Sequence, residues 1–133
     1  MTNKPKKILS EISAGELLDK ISILEIKLEK IKNKVNQEKI NKEYKILKEV
    51  QNSNLELTEK LRTLFEKIKD INQNLWNIED KLRICEKNKD FGQDFIKLAR
   101  DVYLNNDRRS KIKFEINEAS GSNIKEIKQY VDY

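Results

Sequence analysis

The stretch from Ser53 to Glu86, SNLELTEKLRTLFEKIKDINQNLWNIEDKLRICE, decides the fold. Within it Leu57, Leu61, Leu64, Ile68, Ile71, Leu75, Ile78, Leu82 and Cys85 recur at alternating steps of four and three. That spacing keeps one seam of a helix turned toward a partner helix. Ser53 and Glu56 read as a capping box, each side chain satisfying an orphan backbone donor of the first turn. The spacing therefore predicts one unbroken helix, spanning roughly 50 Å at about 1.5 Å per residue. A helix of that length with an apolar seam has to be covered by other helices.

Working outward, the turn Lys87–Lys89 leads to a second capping box, Asp90 with Gln93. A helix follows whose seam runs Phe91, Phe95, Leu98, Val102, Asn105, Arg109, Ile112, Ile116 and Ala119, with Gly121 as its stop. On the other side, Ser13 with Glu16 opens the first helix, whose seam is Leu17, Ile21, Leu24, Leu28, Ile31 and Val35. Leu18, Ile23 and Ile26 widen this seam enough to touch two neighbours. After Val35 the phase breaks: Ile40, Tyr44 and Leu47 are offset by one, which predicts a kink or short loop within Asn33–Gln37 and a second helical piece ending by Gln51. The expected fold class is all-α, an antiparallel, coiled-coil-like bundle of three long helices, the first kinked or broken near 33–37. The expected organisation is a basic tail and extended lead-in at 1–12, a single helical domain at 13–121 and a C-terminal tail at 122–133.

Composition agrees with slender helices. Of the 133 residues, 38% are charged and 37% apolar, which suits a narrow buried stripe beside a broad solvated face; three glycines and one proline leave few turns. The net charge of +5 invites a nucleic-acid reading. Its lysines, however, interleave with glutamates at helical spacing, as in Glu25, Lys27, Glu29 and Lys30, in the manner of a solvated helix face. With no histidine and only Cys85, the chain has no means to form an internal disulfide, a zinc site or a Cys/His nucleophile. No metal and no cofactor are expected. The absence of a leader-like or membrane-length apolar run points to a cytoplasmic protein.

Two polar residues interrupt the last seam. Asn105 and Arg109 stand where the repeat places interior positions, and an unpaired polar group there costs about 1–3 kcal/mol. Antiparallel pairing brings Lys69, Asp70 and Asn72 to the level of Arg109, with Asp70 the nearest acid able to pair with it. The alternative is an anion pocket in which Arg109 is the cation, with Asn106, Lys113 and Asn117 on an adjoining stripe. A second polar concentration sets Trp76, Glu79 and Arg83 on one face, Glu79 and Arg83 being spaced as an i,i+4 ion pair. Glu16 with Asp19, and Glu79 with Asp80, are spaced as carboxylates that could hold Mg²⁺, a spacing that arises readily in a chain so rich in acidic residues.

The runs GELLDKISILEIK at 15–27, LWNIEDKLR at 75–83 and LARDVYLNNDRRSKIKFEIN at 98–117 resemble a family of small bacterial helical proteins classed as a domain of unknown function. The resemblance implies no activity. It points to Glu16, Asp19, Lys20, Trp76, Glu79, Asp80, Arg83, Arg100, Tyr103, Asn106, Asp107, Arg109, Lys113 and Asn117; of these Glu16, Lys20, Glu79, Arg83, Arg100, Asn106, Asp107, Arg109, Lys113 and Asn117 are the candidate ligand-binding positions. The segment 33–54 lies outside its motifs.

Three functional readings follow. The first is a helical interaction or scaffold protein that forms a homodimer, because thin helices leave seam on the outside and exposed apolar surface marks interfaces. The second is a small helical enzyme or binding protein for an anionic substrate, in the manner of chorismate-mutase-like or nucleotide-pyrophosphatase-like bundles, where polar side chains converge between helices. The third is nucleic-acid binding, which lacks aromatics interleaved with its bases.

Overall fold

The computed structural model describes residues 6–133, so the first five residues of the expected basic tail lie outside the described residues. The chain forms four helices: α1 (Ala14–Lys30), α2 (Lys34–Asn54), α3 (Glu59–Lys87) and α4 (Gln93–Ser120). The all-helical expectation is met among the described residues, but the count of three helices is not. The segment expected as one kinked helix is two helices. Ile31 is extended, and Asn33 starts α2 by accepting from the Asn36 amide at 3.0 Å. An asparagine that caps cannot also continue the preceding helix, because the cap residue itself adopts a non-helical conformation. The break therefore falls at 31–33, before the phase shift that marks it in the sequence.

Two of the three expected capping boxes also differ. Ser53 lies inside the last turn of α2, and α3 begins six residues past it, with Thr58 accepting from the Leu61 amide at 3.2 Å. Between them Leu55 and Leu57 pack against the core while the backbone crosses from one helix to the next. Packing of these two leucines overrides the local Ser–Glu signal. At α4 the cap is Gly92, and the Asp90 carboxylate accepts from the Gly92 amide instead of capping the helix itself. The Ser13 cap stands as expected, its hydroxyl accepting from the Glu16 amide at 3.0 Å.

Helices α3 and α4 form a long hairpin through the turn at 88–92, where Lys89 takes a positive φ of 55°. Helix α1 crosses this hairpin. Its first turn meets α4 at Asn117 and Lys113, its middle meets α3 at Asn72, and Glu25 and Glu29 reach Lys69. Helix α2 packs against α1 only. Being touched by three helices explains why α1 carries so wide an apolar face; Leu18 and Ile21 are fully buried in it. The core gathers Leu17, Leu18 and Ile21 with Leu61, Leu64, Ile68 and Ile116, each such side chain contributing about 1.5–3 kcal/mol by its removal from water.

That core occupies one end of the hairpin. At the other end α3 and α4 have no other helix against them, only the Tyr133 ring edge-to-face with Tyr103: from Gln93 to Leu104 no residue of α4 is buried, although the segment holds Phe95, Leu98, Val102 and Leu104. This arm exposes Ile84 by 57% and Ile96 by 46%. After Gly121, whose φ of 67° closes α4, the chain runs back along α4 without helix or strand. Glu126 accepts from Asn117, and the Tyr133 hydroxyl donates to Asp107.

Candidate functional site

Where α1 crosses the hairpin, a chain of polar side chains runs through the interior. Asp19, 4% exposed, accepts from the Asn72 amide nitrogen at 2.8 Å, and the same nitrogen donates to the Ser22 hydroxyl at 2.8 Å. The Ser22 hydroxyl in turn donates to the Asp19 backbone carbonyl at 2.7 Å. Both amide hydrogens of Asn72 are thereby committed, and turning the amide over would set its oxygen against a carboxylate. Asn72 Oδ1 is left facing Arg109, whose guanidinium donates to it at 3.3 Å. Arg109 thus meets Asn72 and not Asp70, which is exposed. Asn105, the other polar member of the seam, is satisfied within its own helix by donating to the Asp101 carbonyl at 2.8 Å.

Arg109 also lines a groove of about 390 Å³ between α1, α3 and α4. Ile23, Ile26, Leu75 and Trp76 supply its apolar walls, and Glu79, Asp80 and Arg83 stand along α3 beside them. The Arg83 guanidinium donates to the Glu79 carboxylate one helical turn away, as the spacing predicts. Glu79, Arg83 and Arg109 are therefore brought together, and Trp76 and Asp80 join them.

The remaining candidates divide among other places. Glu16 pairs with Lys113 at 2.5 Å and with Lys20 at 3.6 Å, on the surface where α1 meets α4. Burial raises the affinity of the Glu16 carboxyl for its proton, but the two ammonium groups outweigh it and hold its pKa below the ordinary value. Asn117, 1% exposed, accepts from the Gly15 amide at 2.7 Å and so fastens the start of α1 to α4. Asn106 and Asp107 lie under the returning C-terminal segment. Arg100 is exposed, its pKa raised by a hydrogen bond to Tyr103. Across the molecule, Lys69 holds Glu25 at 3.1 Å and Glu29 at 3.2 Å; burial lowers its pKa, and the two carboxylates raise it further than burial lowers it.

Of the carboxylates spaced for Mg²⁺, Asp19 is engaged by Asn72, Glu16 by lysines and Glu79 by Arg83, and Asp80 is exposed. Among the described residues no group of three or more acidic or cysteine side chains is arranged to hold a metal ion, and no helix is long and apolar enough to cross a membrane. The site-forming residue the sequence underrates is Asn72. The step of four from Ile68 reaches it and the step of three beyond it reaches Leu75, so it stands on the buried stripe in place of Ile71.

No curated protein and no solved structure matches this chain. A family model does match, over residues 8–132, and its description is a family of unknown function. The segments 15–27, 75–83 and 98–117 meet around the crossing of α1 over the hairpin, through Asp19, Trp76 with Arg83, and Arg109. The chain belongs to this family, DUF6165.

Proposed function

We propose that the protein is a helical interaction protein that assembles with a second copy of itself through the α3–α4 arm. The observation that carries this reading is the run Gln93–Leu104, apolar at helical spacing and nowhere buried. Two helices cannot enclose their own seam, and an apolar face of this kind is closed by further helices. A second arm would complete a four-helix arrangement in the commonest symmetry, a two-fold.

Charge favours the same surface. The chain carries a net +5, so two copies repel each other overall, yet between Glu79 and Asp101 acids and bases are equal in number. Two such arms meet without net repulsion. The test is light scattering on the full chain at about 10 µM, a concentration well above a micromolar dissociation constant. The expected mass is twice the 15.8 kDa of the chain. Replacing the exposed Ile84 and Ile96 with glutamate should return it to the single-chain mass without unfolding the hairpin. A wild-type mass of one chain at that concentration would overturn the reading.

A further inference from the structure

We infer that the groove between α1, α3 and α4 binds a small molecule bearing one anionic group on a flat apolar body, with the Arg109 guanidinium holding the anion and Trp76 the body. Arg109 is half-buried, and among the described residues no carboxylate lies within 4.0 Å of it. Of its five N–H donors, the Asn72 oxygen takes one. A guanidinium in that state is matched by an anion that can accept two parallel hydrogen bonds, as a carboxylate or phosphate does.

Asn72 makes the cation a built feature rather than a surface accident. Asp19 and Ser22 fix the orientation of its amide, and that orientation points its oxygen at Arg109. The guanidinium is therefore steered by a buried carboxylate acting through an amide, while its remaining donors stay free of protein acids. The walls decide the rest of the ligand. Ile23, Ile26 and the Trp76 ring present apolar surface, and about 390 Å³ lies at the lower end of the range for small-molecule sites. Asp80 and Glu79 stand beside Arg83 along the same wall, so a second negative group on the ligand would meet carboxylates there.

Trp76 is the only tryptophan in the chain, so its indole N–H gives a single resonance that reports on the groove. The experiment titrates the ¹⁵N-labelled full chain with phenyl phosphate, benzoate and the neutral benzyl alcohol. Phenyl phosphate and benzoate should each move the Trp76 resonance saturably, and inorganic phosphate should compete with phenyl phosphate for the site. Benzyl alcohol should leave the resonance in place. Arg109→Met should weaken phenyl phosphate binding at least about tenfold, since it removes a charge-assisted bidentate contact. If that variant does not fold, the wild-type comparison of phenyl phosphate with benzyl alcohol still decides the matter. No saturable movement with either anion at about 10 mM, well above a millimolar dissociation constant, would overturn the inference. So would an equal response to benzyl alcohol.

Discussion

Gly15→Ala sets helix propensity against steric fit at one position. In an unobstructed helix the change stabilises by about 0.5–1 kcal/mol, because alanine loses less backbone freedom on folding. Gly15 is not unobstructed. A Cβ there would stand 2.5 Å from the Lys113 carbonyl oxygen, 2.9 Å from Asn117 Oδ1 and 3.1 Å from the Lys113 carbonyl carbon. Two of these atoms are backbone inside α4 and cannot rotate away.

Restoring an ordinary contact of 3.4 Å moves the start of α1 from α4 by about 0.9 Å. The same movement lengthens the Gly15–Asn117 hydrogen bond, 2.7 Å in the native protein, to about 3.6 Å, beyond bonding range. Overpacking costs about 1–3 kcal/mol and the buried bond left unmade about 1–3 kcal/mol more. After the propensity gain, the net loss is about 3 kcal/mol, which lowers the melting temperature by about 10 °C in a chain of this size. Thermal melts followed by circular dichroism measure it. Gly92→Ala is the control, since the nearest atom to its Cβ is the movable Asp90 carboxylate at 3.4 Å: it should lose only the roughly 0.5–1 kcal/mol that alanine costs against glycine at a helix cap and melt above Gly15→Ala. A Gly15→Ala protein melting at or above wild type would refute the reasoning.

Two further predictions concern the polar interior. Asn72→Ala leaves the buried Asp19 carboxylate without its donor and should cost about 3–5 kcal/mol in urea denaturation, whereas Asp19→Asn, which keeps an acceptor oxygen, should cost less than about 2 kcal/mol; equal losses would mean that Asn72 acts only by filling space. Glu16 has a folded pKa below its ordinary 4.5, so its contribution is present above that value and is lost as pH falls through the lower folded pKa. The wild type should lose stability below about pH 4.5 more steeply than Glu16→Gln, and parallel acid-denaturation curves would show that the Lys113 pair contributes nothing.

The fold was legible wherever the apolar repeat spoke for a whole helix. The expected seam of α3 is buried at Leu61, Leu64, Ile68, Leu75 and Cys85, that of α4 only at Asn105 and Ile116, and the Ser13 cap starts α1 where the pattern places it. Failures gathered at boundaries, where short-range chemistry competes with packing. Ser53–Glu56 has the residues of a capping box, but Leu55 and Leu57 are drawn to the core, and a helix start two leucines later lets both reach it. Ile31–Asn33 shows the converse. The apolar step from Leu28 to Ile31 and Val35 keeps helical phase across a break that Asn33 makes by capping, and Val35, expected on the seam, is 61% exposed. A period reports which residues could share a face, not whether the backbone between them is continuous.

The polar crossing was legible for a different reason, namely that a polar residue on a buried stripe requires a partner. Arg109 announced itself in this way, and antiparallel register brought Asn72 to its level. The choice of Asp70 over Asn72 came from matching charges, as though each buried charge must meet its opposite directly. In the folded protein opposite charges are present, Asp19 and Arg109, but an amide stands between them. An amide can accept from one side and donate on the other, so it transmits orientation while each charge keeps capacity of its own. Asp19 and Ser22 lie between Leu18, Ile21 and Leu24 on the most buried helix of the protein. Two polar residues embedded in that pattern are the counterpart of Asn105 and Arg109 on α4, and reading the two interruptions together points to the same crossing. What no periodicity carries is distance. That α1 approaches α4 closely enough for Gly15 to be required depends on the angle of the crossing, which side-chain patterns on separate helices do not encode.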